Sequence, residues 1–153
     1  MHLALPLALT LAAQAAAQDV SGTCVRDQMW SAEGATARLS GCTAPSEEPI
    51  LTLRCMDGDV IAQAIVPLAP DLGEPAEATL MIDGRRETLS GMSDTFELAE
   101  ADMLTGVPLS ARTVERLASG RNGLLTAEGS VPFHLTGSRA AISAMLETCE
   151  ETR

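Results

Sequence analysis

Apolar residues follow a period of two through the middle of this chain, and that period predicts strands. Leu51, Leu53 and Cys55 alternate with polar neighbours, as in a strand with one buried face. The dipeptide Asp57-Gly58 comes next and is typical of two-residue hairpin turns. Residues 60–66 are almost wholly apolar and predict the returning strand, placed centrally in a sheet.

The same design appears in two later segments. Residues 78–82 alternate, Asp83-Gly84 supplies a turn, and residues 85–92 return. Residues 124–127 and 131–135 predict a third hairpin. Two shorter strands are expected at 35–43 and 94–98. Successive hairpins place neighbouring strands antiparallel, so we expect an antiparallel, partly sandwich-like sheet of about six strands.

The period changes to that of a helix twice in the C-terminal third. Ser110 is a candidate N-cap and Gly120 a stop for a first helix. Gly137 ends a strand, and Ser138 is a candidate cap for a final helix. The apolar stripe of that helix consists of Ile142, Met145, Leu146 and Cys149. The predicted fold class is therefore α+β, with two helices.

The four cysteines, Cys24, Cys42, Cys55 and Cys149, form an even set without C-x-x-C spacing. In an exported chain such a set indicates two disulfides, and four cysteines allow three connectivities. Cys55 lies on the buried face of its predicted strand, and Cys149 lies on the apolar stripe of the last helix. We therefore expect these two to pair and to clamp that helix to the sheet, which leaves Cys24 for Cys42.

Residues 1–17 are typical of a signal peptide. Residues 3–13 form an apolar core too short to span a bilayer, and Ala15-Ala16-Ala17 offers a small-residue cleavage site. Residues 18–153 would then form a single exported domain with no membrane span. The expected location is the periplasm, with an extracellular location as the alternative.

The charge balance limits the class of partner. The formal net charge is −11, and all ten basic residues are arginine. Nucleic acid and anionic lipid are therefore unfavourable partners, because both require a positive face. Acidity favours solubility or a basic partner. The only aromatic residues are Trp30, Phe96 and Phe133, too few for a platform that stacks sugars or bases.

No set of residues in the sequence predicts catalysis. His134 is the only histidine after position 2, and alternation on its strand predicts that it faces solvent. No G-x-S-x-G elbow surrounds a serine, and no Gly-rich phosphate loop is present. We therefore expect no catalytic residue, no cofactor and no metal.

Several other groups have an ordinary structural reading. Asp57-Gly58-Asp59 is expected to be a turn rather than a calcium loop, and Trp30 is expected to fill the core. Arg85-Arg86 is a weak anion clamp, because adjacent strand residues face opposite sides. The acidic run is expected to be a solvated loop that could dock a basic partner: Asp94, Glu97, Glu100 and Asp102.

Three stretches of the chain carry a recognisable family pattern. The first contains Cys24, Arg38-Leu39 and Cys42. The second is Leu51-Thr52-Leu53-Arg54-Cys55 with Asp57-Gly58, followed by residues 78–83. The third is Phe133-His134-Leu135-Thr136-Gly137 with the Ala-rich helix that ends Leu146-Glu147-Thr148-Cys149. Together they resemble the VasI-like or TagO-like periplasmic accessory family of type VI secretion loci. The ending also resembles the invasion-associated locus B proteins, another small exported family.

Two departures separate this chain from the type VI accessory family. Thr43-Ala44 stands where that family often has an aromatic residue and an aspartate, and the tryptophan of its middle hairpin is missing. Neither family implies a catalytic residue.

The expected function is a non-enzymatic periplasmic binding or accessory protein of the cell envelope, associated with a secretion or host-interaction system. Its partner would be an envelope protein, and an exposed sheet edge is one place where a partner strand could add. The first alternative is an acidic inhibitor or ligand-binding protein that acts on a cationic envelope enzyme. The second alternative is a cell-wall hydrolase with His134 as its base.

Overall fold

The computed structural model describes residues 19–151, so the predicted signal peptide lies outside the described residues. Ten strands and two helices follow one another along this part of the chain. They are β1 (Val20–Ser21), β2 (Gln28–Glu33), β3 (Thr36–Gly41), β4 (Pro49–Met56), β5 (Asp59–Ile65), β6 (Pro75–Ile82), β7 (Arg85–Phe96), β8 (Ala101–Leu109), α1 (Ala111–Ser119), β9 (Asn122–Thr126), β10 (Ser130–His134) and α2 (Ser138–Glu151).

All ten strands belong to one antiparallel sheet in the order β1-β2-β3-β4-β5-β8-β7-β6-β9-β10. The three predicted hairpins are confirmed as β4–β5, β6–β7 and β9–β10. Asp57, Gly58, Asp83 and Gly84 all have positive φ, between 47° and 86°. Positive φ at both central residues is the backbone of a type I′ turn, whose twist matches that of the strands it joins.

The sheet has more strands than the about six that were predicted. The short strand expected at 94–98 is confirmed in part, as the end of β7 up to Phe96. A 3₁₀ turn at Glu97–Ala99 and the start of β8 follow it where the acidic run was expected to be a loop. The sequence of β8 shows no regular alternation of apolar and polar residues. The reason is that its pairing with β5 shifts register between Ala62 and Ala64, and its Gly106 has φ 66°. A bulge of this kind adds one residue and reverses the period along the strand.

Both helices are present, and one of the two predicted caps is confirmed. The Ser110 hydroxyl accepts a hydrogen bond from the Thr113 backbone N–H at 3.1 Å and caps α1. Ser138, by contrast, lies within α2 and is buried. Its hydroxyl donates to the Leu117 carbonyl at 2.7 Å and so ties α2 to the last turn of α1.

The structure pairs Cys55 with Cys149 and Cys24 with Cys42, which are the pairs that the sequence favours. α2 packs against β2, β3 and β4, and the Cys55–Cys149 bond joins its last turn to β4. The largest fully buried side chains of this inner face and the helices include Leu39, Leu51, Leu53, Leu104, Leu117, Ile142 and Met145. Within residues 19–151, no helix has the length and apolarity needed to cross a membrane.

The sheet curls until strands from its opposite ends meet at a seam between β2 and β10. The Gln28 carboxamide accepts from the His134 backbone N–H at 3.2 Å and donates to the Pro132 carbonyl at 3.1 Å. The Trp30 indole donates to the His134 carbonyl at 3.0 Å. The prediction of an antiparallel, partly sandwich-like sheet is therefore confirmed in part: the strands form one curled antiparallel sheet, and side chains rather than a strand pair join its ends.

Candidate functional site

A row of polar side chains crosses the outer face of the sheet, on the side away from the helices. Arg38 of β3 is paired in register with Thr52 of β4, and Thr52 is paired with Gln63 of β5. Because directly opposed residues of antiparallel strands point to the same face, the three side chains stand side by side. Leu51 and Leu53, the neighbours of Thr52, point inward to the core.

Apolar side chains border this row and enclose a small groove. Ile65 of β5 is opposite Met103 of β8, and Ile50 and Phe96 complete the apolar border. The groove has a volume of about 130 Å³. Pockets that enclose whole small-molecule ligands are typically about 300–1,000 Å³, so this groove fits one side chain of a larger partner better.

The polar groups of the row have no partners within the part of the chain that the structure describes. Thr52 is only 6% exposed, yet its hydroxyl makes no hydrogen bond there, and neither does the half-buried carboxamide of Gln63. Among the described residues, Ser40 Oγ is the one fully buried side-chain polar atom without a partner, so the Thr52 hydroxyl reaches water at the floor of the groove rather than being sealed in the core. The row therefore holds hydrogen-bonding capacity that the fold does not use.

Arg38 is the most unusual member of the row. Two of the arginines at positions 19–151 are half-buried, Arg38 and Arg116. Arg116 has Glu87 at 3.9 Å, whereas Arg38 forms no ion pair or hydrogen bond with any described residue. The guanidinium of Arg38 therefore has its hydrogen-bond donors available to an anionic partner.

The electrostatic surroundings set a limit on the charge that the groove accepts. Arg54 lies at its rim, two residues beyond Thr52 on the same face, and adds a second cation. Asp94 of β7 is opposite Met103 of β8. It is exposed and brings a carboxylate close to the apolar border of the groove. The polar side of the groove therefore carries two arginines and further hydrogen-bond donors, while Asp94 at the apolar border and the exposed Glu33 beside Arg38 limit the positive charge.

Reasoning from the sequence missed this site. Thr52 and Arg54 have the positions of the polar, solvent-facing half of an alternating strand, which is the ordinary reading of that pattern. The signal that identifies the groove is the cross-strand register of Arg38, Thr52 and Gln63. Register between strands that are not yet paired is not encoded in local alternation.

The prediction that His134 faces solvent is wrong. It is 6% exposed, because the curl of the sheet brings β2 against the outer side of β10. Its Nδ1 accepts from the Thr136 backbone N–H at 3.2 Å, and its Nε2 donates to the Gln28 carbonyl at 3.1 Å. These partners assign the neutral ring with its proton on Nε2, and both ring nitrogens are engaged.

The acidic run is not a loop, and its members do not converge on one site. Asp102 of β8 accepts from the Leu68 backbone N–H at 2.9 Å, and Asp94 accepts from the Thr95 backbone N–H at 2.7 Å. Glu97 and Glu100 are exposed around the 3₁₀ turn. Two of the four carboxylates thus accept a backbone hydrogen bond, one local and one from a residue 34 positions away, and the other two face solvent.

The remaining candidate residues lie outside the groove. Arg85 and Arg86 are exposed beside the β6–β7 turn, and Trp30 is fully buried, as expected. Asp57 and Gly58 form a hairpin turn. Within residues 19–151, no three His, Cys, Asp or Glu side chains are grouped so that they could hold a metal ion.

Neither the models of known protein families nor the curated proteins give a match, so the resemblance to the type VI accessory family stays a hypothesis. Among solved structures, the chain is similar to invasion-associated protein B from Bartonella henselae, with 15% sequence identity and a TM-score of 0.47. The similarity covers 86% of this chain and 99% of that chain.

Proposed function

We propose that this protein is a non-enzymatic binding protein of the cell envelope, and that it engages a partner protein through the groove on the outer face of its sheet. The observation that carries the proposal is the row of Arg38, Thr52 and Gln63, which holds polar groups without partners at half-buried and buried positions. Such unused donors on a rigid surface are typical of a site that is completed by a ligand.

The scaffold supports this reading because it holds the row rigidly. The three residues lie on neighbouring strands inside the sheet rather than on a loop. On the other face of β4, three residues beyond Thr52, Cys55 is bonded to Cys149 of α2. Side chains on fixed strands lose less conformational entropy on binding, and this raises affinity for a given set of contacts.

The surroundings of His134 support a function without catalysis. A general base needs a free nitrogen within reach of the proton that it removes. Both nitrogens of His134 already have backbone partners, Thr136 and Gln28. The residues that line the groove include no histidine, cysteine or carboxylate that would activate Thr52 or Ser46 as a nucleophile.

The seam favours binding on the face of the sheet over addition of a strand at its edge. The outward backbone groups of Pro132 and His134 on β10 are used by Gln28 and Trp30. Proline also lacks the N–H that a partner strand would need. At the other end of the strand order, β1 is two residues long, which is too short for stable pairing.

We also propose that the protein acts in the cell envelope, after export. The predicted signal peptide and the two disulfides support export to an oxidising compartment, and the sequence resemblances motivate an association with a secretion or host-interaction system. The formal charge of −11 and the exposed Glu97 and Glu100 favour one second candidate, an acidic inhibitor or ligand-binding protein of a cationic envelope enzyme.

Site-specific photocrosslinking tests the proposed surface. A photoreactive amino acid replaces the exposed Ser46 at the groove rim, and in a matched protein it replaces the exposed Arg112 on α1. We expect the Ser46 position alone to give an adduct in living cells, which is competed by excess unmodified protein and re-formed with the purified partner. Identical adducts from both positions, or none from Ser46, would reject the groove as the binding surface.

A further inference from the structure

We propose that the groove recognises one carboxylate side chain of a partner protein, presented next to an aliphatic residue in an otherwise uncharged segment. This proposal rests on the proposed function, since it names the chemistry of the segment that occupies the same groove. A glutamate beside a leucine or a similar residue is the ligand that fits each feature of the site.

Arg38 supplies the charge that the ligand must match. Arg38 is half-buried as a residue and has no carboxylate partner among residues 19–151, so the fold leaves its guanidinium donors open. A planar guanidinium binds a carboxylate through two parallel hydrogen bonds, and such charged bonds are about twice as strong as neutral ones.

Thr52 and Gln63 add hydrogen-bonding groups that orient the ligand bound by Arg38. Opposed residues on antiparallel strands have Cβ atoms roughly 4.5–5.5 Å apart, and both Arg38 and Thr52 line the groove, so one ligand in the groove meets both side chains. Gln63 follows on the next strand and offers both a donor and an acceptor to the backbone of a peptide. The order of Arg38, Thr52 and Gln63 therefore suits a peptide that crosses the strands.

The apolar border of the groove favours an aliphatic side chain next to the carboxylate of the ligand. Ile50, Ile65 and Met103 line the groove beside the polar row, and Phe96 stands at its far side. An aliphatic side chain placed there removes apolar surface from water on both partners, at about 25 cal/mol for each Å². A volume of about 130 Å³ accepts one such side chain and not a whole cofactor.

The charge of the whole protein argues against a polyanion in the same groove. A lipid surface, a nucleic acid or a sulfated glycan would bring many negative charges to a protein of net charge −11. Asp94 and Glu97 lie near the apolar border and would repel them further. A single carboxylate on a neutral peptide meets Arg38 and Arg54 with little added repulsion.

An NMR titration with blocked peptides tests this inference directly. The probes are N-acetyl-Leu-Glu-Leu-amide, its twin with Gln in place of Glu, and inorganic phosphate, each added to ¹⁵N-labelled protein. We expect the Glu peptide to shift the amides of Arg38, Thr52 and Gln63 and to bind about tenfold more tightly than the Gln peptide, since hydrogen bonds to charged groups contribute about 1.5–3 kcal/mol.

Matched variants locate the effect. Arg38→Gln should abolish the preference for Glu over Gln, whereas Arg86→Gln should keep it, because Arg86 is an exposed strand arginine outside the groove. The two variants change the net charge equally. Thr52→Val keeps the side-chain shape and should weaken binding of the Glu peptide alone. The amide spectrum of each variant reports whether its fold is intact.

Three results would overturn the inference. They are equal affinity for the Glu and Gln peptides, retention of the preference in a folded Arg38→Gln protein, and full competition by phosphate at the concentration of the Glu peptide. If one of these occurs while Ser46 still gives a specific adduct, the groove remains the binding surface and only its carboxylate chemistry is rejected. Loss of both the adduct and the peptide shifts rejects the proposed function itself.

Discussion

Removal of the Cys55–Cys149 bond should destabilise the protein more than removal of the Cys24–Cys42 bond. The two bonds join residues 94 and 18 positions apart. In the chain-entropy model, closing these loops contributes about 4.7 and about 3.2 kcal/mol to the free energy of unfolding, a difference of roughly 1.5 kcal/mol. The longer bond also holds the last turn of α2 on the sheet, which should widen the difference.

Equilibrium urea unfolding of two paired variants measures this difference. One carries Cys55→Ala with Cys149→Ala and the other Cys24→Ala with Cys42→Ala, so neither leaves a free thiol. We expect the first to unfold at lower urea and at a temperature lower by roughly 5 °C. Excess reductant is the control, because it should bring the wild-type protein down to the less stable variant or below. Equal stabilities of the two variants, or the reverse order, would refute the loop-length reasoning.

Two further substitutions test the seam and the close packing beside it. Gln28→Ala removes both side-chain hydrogen bonds to β10 and should lower the free energy of unfolding by about 1–3 kcal/mol. Hydrogen exchange at the His134 amide should become faster. Unchanged exchange there would show that Gln28 does not hold the seam. Gly123→Ala places a Cβ atom against the Phe133 ring and should cost about 1–3 kcal/mol, measured by thermal unfolding. The double variant with Phe133→Leu should recover part of that loss, and strict additivity of the two changes would contradict a direct clash.

The local features of this fold were readable from the sequence. The turns at Asp57-Gly58 and Asp83-Gly84 were predictable because each depends on two residues that adopt positive φ. The cap of α1 at Ser110 was predictable because it depends on atoms three residues apart. The Cys55–Cys149 pair followed from two local periods, each of which marked its cysteine as inward-facing.

Features that depend on distant parts of the chain were not readable in this way. β8 was missed because its bulge opposite β5 reverses the alternation on which the test relies. Alternation along its strand predicts that His134 faces solvent, because nothing near it in the sequence shows that Gln28, 106 residues away, covers it. Ser138 was read as a cap, although the carbonyl that it reaches belongs to α1.

The candidate groove shows the same division. The sequence by itself determined that Thr52 and Arg54 face away from the core, because alternation within one strand settles which face a residue occupies. Only the tertiary structure decided that Arg38, Thr52 and Gln63 stand in one row, because strand register and sheet curl result from pairing between segments that are separate in the chain. A binding surface built across strands therefore becomes visible only once those strands are paired.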